Sequence, residues 1–178
     1  MTSNSSNKIG HVAIIMDGNS RWARQRNLKT IEGHKQGVNR LRDIVKYSAK
    51  SEITHLSVFA FSTENWKRSA SDVSDLMKLF LQSIIKEVPE LIENKVQLNF
   101  IGDIPRFSKS LVSQINSAMK DTQAKKPNLN LNIAISYGGR WDILNAIKRL
   151  KDQQINICLL YTSPSPRDLS TSRMPSSA

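Results

Sequence analysis

HVAIIMDGNSRWARQ, residues 11–25, is the stretch whose reading decides the fold. It opens as a continuous apolar run, which a parallel strand covered on both faces requires. VAIIMD (12–17) is therefore predicted as such a strand. The run then turns abruptly polar, through Asp17, Gly18, Asn19, Ser20 and Arg21. Glycine permits close backbone approach, and the free N–H groups of a helix start bind anions. An acid beside phosphates implies a bridging divalent cation, because bare carboxylate and phosphate repel. Mg²⁺ takes one or two carboxylates together with phosphate oxygens and water. The plainer reading of Asp17 alone is an N-cap, worth about 0.5–2 kcal/mol.

Working outward, the same alternation continues. Residues 33–50 carry Val38, Leu41, Ile44, Val45 and Ala49 at helical spacing. HLSVFAFS (55–62) reads as a second strand. Residues 71–94 form a helix with a broad apolar stripe, expected to bend or break at Pro89. VQLNFIGD (96–103) is a third strand, 108–125 a helix with Leu111, Ile115 and Met119 inward, and LNLNIAIS (129–136) a fourth strand. Residues 140–151 open another helix. Strand alternating with helix predicts an α/β fold, an open, mostly parallel sheet with helices on both faces.

In such sheets ligands bind beyond the carboxyl ends of the strands. Polar residues gather at all four predicted ends. Asp17, Gly18, Asn19 and Arg21 follow the first; Ser62, Glu64, Asn65 and Arg68 the second. Gly102, Asp103 and Arg106 follow the third; Tyr137, Gly138, Gly139, Arg140 and Asp142 the fourth. Each end carries a basic residue, so the four could converge on one anionic ligand. Arg21, Arg24, Arg68 and Arg140 could clamp phosphates bidentately, although any one of them alone reads as a surface charge. His34, within GHKQG (33–37), reads alternatively as a capping or packing residue. Trp22, Trp66 and Trp141 read by default as core.

The chain has 178 residues, 39% of them hydrophobic and 23% charged, enough for one domain with a core. The net charge of +11 favours anionic partners. Aromatics at 6% and the lack of any run of five Lys or Arg argue against a nucleic-acid groove. A single cysteine excludes an internal disulfide and a multi-cysteine zinc site. No apolar run in the sequence is long enough to span a bilayer. An intracellular, cytoplasmic protein is expected. There is no GxxxxGK[ST] loop, no GxGxxG fingerprint, no DDxxD motif and no GxSxG elbow.

From Cys158 onward the style changes. CLLYTSPSPRD (158–168) looks like a translated transposon-based library adapter, and SRMPSSA (172–178) like the far end of the same adapter in the same frame. The expected organisation is a lead-in (1–10), a partial domain (11–157) and a non-native tail (158–178). Sequencing the native gene across codon 157 checks this: the frame should continue into other coding sequence.

HVAIIMDGNSRWA, GHKQG, FSTENWKR, IGD followed by Arg106-Phe107, and YGGRWDI stand in one order. Together they resemble the cis-prenyltransferase family, of undecaprenyl diphosphate synthase type, over about residues 11–150. The resemblance implies a transferase that condenses isopentenyl diphosphate with an allylic diphosphate, usually farnesyl diphosphate, to make cis double bonds. It implies Mg²⁺ held by Asp17, with Asn65 nearest the proton removed from isopentenyl diphosphate. Gly18, Asn19, Arg21, Trp22, His34 and Arg140 would bind substrate. Ser62, Glu64, Asn65, Trp66 and Arg68 would close over it. The stripe of 71–94 would line a tunnel for the growing chain, or be plain core. A homodimer is implied for the full-length protein, with peripheral membrane contact and no nucleic acid as further expectations.

The sequence departs from the family pattern in places. Thr30, with Lys29 adjacent, stands where the family has an arginine, Ser136 where it has asparagine, and Ser69 where a proline is usual. The family's RTGGE-type segment and late glutamate do not appear. The fold is therefore expected to be incomplete at the C-terminus and this chain inactive or nearly so. The rival readings are a non-catalytic partner subunit of the same fold and an anion- or nucleic-acid-binding α/β module.

Overall fold

A computed structural model describes residues 9–152, so the expected tail at 158–178 lies outside the described residues. The chain divides into two compact units, residues 1–138 and 139–178.

The first unit holds a four-stranded, wholly parallel sheet. Its strands are β1 (His11–Ile15), β2 (His55–Ser62), β3 (Val96–Ile101) and β4 (Leu129–Tyr137), in the order β1-β2-β4-β3. Between β1 and β2 come α1 (Asn19–Arg24) and α2 (Thr30–Ala49). A short 3₁₀ turn (Thr63–Lys67) and α3 (Ala70–Glu93) lead to β3. A second 3₁₀ turn (Ile104–Arg106) and α4 (Lys109–Asp121) lead to β4. In the second unit, the described residues form α5 (Gly139–Asp152). No helix among the described residues is long and apolar enough to cross a membrane.

Side chains in a strand alternate between faces, and the register turns that alternation into rows. Val12, Leu56, Leu131 and Leu98 lie side by side across the sheet, as do Ile14, Val58, Ile133 and Phe100. These rows join the core formed with α2, α3 and α4. The row between them is Ala13, Ser57, Asn132 and Asn99. Here Asn132 donates to Ser57 Oγ at 3.3 Å, and Asn99 donates to Asn132 at 3.2 Å.

This corrects the reading of the first strand as covered on both faces. β1 is an edge strand whose residues alternate between half-buried and exposed, and Ile15 is 76% exposed. An unbroken apolar run is compatible with burial on one face only, because hydrophobic residues are common on surfaces too. The strand is also shorter than expected. Met16 and Asp17 fall outside it, although the Met16 N–H still donates to Phe59 O at 3.3 Å.

The expected break at Pro89 does not occur: α3 runs through it to Glu93. Proline removes one helical hydrogen bond. Val88 and Leu91, on either side, are anchored in the core and keep the last turn in place. Asn94 Nδ2 then donates to Glu90 O at 2.8 Å and closes the end. Ser69 caps the start of α3 by accepting from Asp72 N–H, and Ser108 caps α4 by accepting from Leu111 N–H. α4 stops at Asp121, short of the expected 125. The buried Thr122 hydroxyl donates to Ala118 O at 2.7 Å and accepts the Leu98 N–H at 3.2 Å, tying the helix end to β3.

Candidate functional site

Because the strands are parallel, their carboxyl ends share one edge of the sheet. After β1 the chain turns at Gly18, whose φ of 88° is left-handed. Such a conformation favours glycine. Gly18, not Asp17, occupies the N-cap position of α1, which removes the N-cap reading of Asp17. The Asp17 carboxylate instead accepts the Gly18 N–H at 2.6 Å and an Arg21 guanidinium N–H at 3.1 Å. Its side chain is 80% exposed.

α1 lies against α2 through two glycines one helical turn apart. A Cβ on Gly33 would stand 2.0 Å from Asn19 O, and one on Gly37 would stand 2.7 Å from Asn19 Oδ1. The glycines of GHKQG thus form the seat of Asn19, a role the sequence reading did not give them. Their spacing of four on an amphipathic helix was the available signal. Gly33→Ala is expected to cost about 1–3 kcal/mol through overpacking, read as a lower midpoint in urea.

His34, between those glycines, shares a cavity of about 120 Å³ with Asn19, Asn65 and Arg68. Its Nε2 is buried and meets no hydrogen-bond partner among the described residues. Burial lowers its pKa from the ordinary 6.5, and the Arg68 charge lowers it further, against a smaller opposing effect of Asp72. The imidazole is therefore held neutral while the unfolded chain takes up a proton. Stability is complete above pH 6.5 and falls as pH drops from 6.5 toward the lowered folded-state value. Urea midpoints across that window should fall with acid in the native chain, and less steeply in His34→Gln.

The segment after β2 folds on itself. Ser62 N–H donates to Asn65 Oδ1 at 3.0 Å. Glu64 is held below its ordinary carboxylate range by its own backbone N–H and then by the Ser62 hydroxyl. Trp66 turns inward, edge-on to Phe61 at 5.2 Å, and donates its Nε1–H to Ser136 Oγ at 3.0 Å. The default reading of Trp66 as packing therefore holds within the candidate site.

The same cavity is also lined by the apolar Val38, Leu41, Leu76, Met77, Phe80 and Ile133. A second cavity of about 120 Å³ shares Val38, Leu41, Phe80 and Ile133 with it. The two cavities are therefore neighbours, both lined by residues of α2, α3 and the sheet. Arg42 and Glu87 pair beside this second cavity, Nε to Oε2 at 2.7 Å, and Lys46 reaches Glu90 at 2.7 Å.

The structure thus brings Asn19, His34, Asn65 and Arg68 together around one cavity. Asp17, Gly18, Asn19 and Trp22 line an adjoining cleft of about 360 Å³. Lys29, Thr30, His34 and Arg68 line another of about 270 Å³. Ser62 and Glu64 sit on the segment that carries Asn65 and Arg68. Arg140 belongs to α5, in the second unit. Among the described residues no three acidic, His or Cys side chains cluster as a metal site. Asp17 offers one exposed carboxylate, a donor set that suits Mg²⁺ bridged to substrate phosphates rather than a closed metal cage.

The chain belongs to the family described as "Putative undecaprenyl diphosphate synthase", whose pattern it matches over residues 15–176. That match runs into the terminal segment set apart above. The chain is 49% identical over 140 residues to an isoprenyl transferase of Neisseria gonorrhoeae, covering 79% of this chain and 56% of that protein. It is 48% identical over 143 residues to a ditrans,polycis-undecaprenyl-diphosphate synthase, (2E,6E)-farnesyl-diphosphate specific, of Pasteurella multocida, covering 80% and 59%. The lavandulyl diphosphate synthase of Lavandula x intermedia, solved with dimethylallyl diphosphate, superposes with a TM-score of 0.77 at 32% identity, covering 89% of this chain and 66% of that one. The chain therefore spans a little over half the length of these curated relatives.

Proposed function

We propose that this chain is the allylic-diphosphate-binding portion of a cis-prenyltransferase, which condenses isopentenyl diphosphate with an allylic diphosphate, farnesyl diphosphate foremost. The observation that carries the reading is one cavity lined both by the polar Asn19, His34, Asn65 and Arg68 and by apolar side chains of α2, α3 and the sheet. A diphosphate with a hydrocarbon tail has that same division. The unpartnered His34 Nε2 and the Arg68 guanidinium suit phosphate oxygens. The farnesyl-diphosphate-specific relative and the dimethylallyl-diphosphate-bound structure support the same substrate class.

On this reading Gly18, Asn19, Arg21 and Trp22 line the approach to the diphosphate. Ser62, Glu64, Trp66 and Arg68 belong to the closing segment, and Asn65 lies nearest the proton lost from isopentenyl diphosphate. Arg140, in the second unit, is read as a further substrate-binding residue. Asp17 would hold Mg²⁺, which supplies charge neutralisation for the departing pyrophosphate. A homodimer is part of the reading, and the exposed Ile143, Leu144 and Ile147 of α5 are consistent with a surface awaiting a partner. A peripheral membrane contact would accompany a long lipid product in the cytoplasm.

Calorimetric titration of the 178-residue chain with farnesyl S-thiolodiphosphate and Mg²⁺ tests the reading. Saturable binding is expected, weaker in Arg68→Gln and much weaker with inorganic pyrophosphate. Equal affinity for pyrophosphate and the farnesyl compound would overturn the claim that the apolar lining of the cavity takes a prenyl chain.

A further inference from the structure

The segment after β3, GDIPRF (102–107), reaches Trp66. Arg106 Cζ lies 4.7 Å from the centre of the Trp66 ring. Phe107, itself buried, stands 5.4 Å from it, centre to centre. Ser136, at the end of β4, takes the indole Nε1–H at 3.0 Å. Three side chains from two other strand ends therefore hold one tryptophan.

Two backbone features maintain this arrangement. Ser136 is fully buried at φ 48°, a left-handed conformation that serine seldom adopts. Its carbonyl accepts the Asp103 N–H at 3.2 Å, which fixes the two strand ends to each other. A non-glycine residue held in that region usually marks a site where geometry matters.

The geometry points to Arg106, Phe107 and Ser136 as positioning residues: they grip the Trp66 ring and so keep its neighbours Asn65 and Arg68 at the cavity. Of the three, only Phe107 lines the cavity with Asn65 and Arg68. A guanidinium over an indole face and a part-buried indole hydrogen bond both restrict the ring's orientation. Fixing Trp66 fixes a segment in which Ser62 N–H already binds Asn65 Oδ1. The assignment rests on the proposed function for its purpose, because Asn65 and Arg68 are the groups set toward the diphosphate. A small displacement of groups that orient a substrate has large effects on what they do.

The test uses the 178-residue chain labelled with ¹⁵N. The indole Nε1–H of Trp66, assigned by Trp66→Phe, should exchange with solvent at least about fivefold faster in Ser136→Ala and in Arg106→Gln, a change equivalent to the loss of one modest contact. Backbone amides of β1 and α4 should keep their native rates. Affinity for farnesyl S-thiolodiphosphate with Mg²⁺ should fall about tenfold in Ser136→Ala, a neutral change, and return in Ser136→Asn. Asparagine offers an acceptor and tolerates the left-handed backbone.

Unchanged indole exchange in both variants overturns the grip. Exchange that rises equally throughout the protein overturns it too, since the residues would then act only on global stability. Faster indole exchange with unchanged affinity shows that the grip does not serve the site. A native chain with a protected indole but no affinity for the thiolodiphosphate overturns the functional reading instead, and the positioning role with it. Should Ser136→Ala fail to fold, Arg106→Gln decides the first point alone, because Arg106 is exposed and its loss leaves no cavity.

Discussion

Gly102→Ala is expected to lower stability by about 4 kcal/mol or more, enough to leave much of the chain unfolded at 37 °C. Two separate effects add. Gly102 has φ 136°, a backbone region essentially closed to residues with a side chain. A Cβ built there would also stand 1.8 Å from Ile135 O. The obstacle is the backbone of β4, so no rotamer change relieves it. Either the end of β3 or the end of β4 must move, and both border the grip on Trp66. Circular dichroism during urea unfolding reads the loss of stability. A variant that unfolds at the native midpoint would show that the contact between the two strand ends is much looser than described. Serine at the same position should behave like alanine, because the first atom of the side chain is already the difficulty.

Much of this was legible in the sequence, and the reason is periodicity. The four strands and the long helices announced themselves through patterns that burial imposes on every residue of an element. HLSVFAFS was read at 55–62 and is found there as β2. Element ends were less legible because local contacts set them. The β1 strand stops before Asp17 because the chain turns at Gly18, and α4 stops at Thr122 because its hydroxyl satisfies two backbone groups. Pro89 leaves α3 unbroken for a related reason. A proline's local cost is readable in sequence, whereas the anchorage of Val88 and Leu91 that outweighs it is a tertiary fact. In the candidate site, residue types that bear charge or a titrating group were noticed at once. Gly33, Gly37 and Ser136 were not given their parts, because their contribution is the absence of a side chain or an unusual φ. Ser136 carried a readable hint, since it stands where the family has asparagine, the residue best suited to a left-handed backbone.

Asp17→Ala is expected to lower condensation at least about a hundredfold in a chain extended to the length of its relatives, the loss typical of removing a group that stabilises developing negative charge. The same substitution should leave the unfolding midpoint almost unmoved. Asp17 is exposed, and its pairing with Arg21 is a surface ion pair of i,i+4 type, worth about 0.2–1 kcal/mol. This contrast between activity and stability is what gives the experiment its force. A carboxylate that served only to order the turn would change both together, through the Gly18 N–H it accepts. A non-catalytic partner subunit would lose neither, and an anion-binding module would keep its salt-dependent affinity, since removing an acid from a basic edge strengthens attraction to anions. Asp17→Asn refines the reading. It keeps an acceptor for the Gly18 N–H but loses the charge that a divalent cation needs, so turnover should stay low while the turn is preserved. Adding Mg²⁺ in large excess to either variant tests how Asp17 acts. Recovery at high Mg²⁺ would mean that Asp17 acts through affinity for the cation, whereas no recovery at any Mg²⁺ concentration would leave its contact with the Arg21 guanidinium as the group's part in turnover.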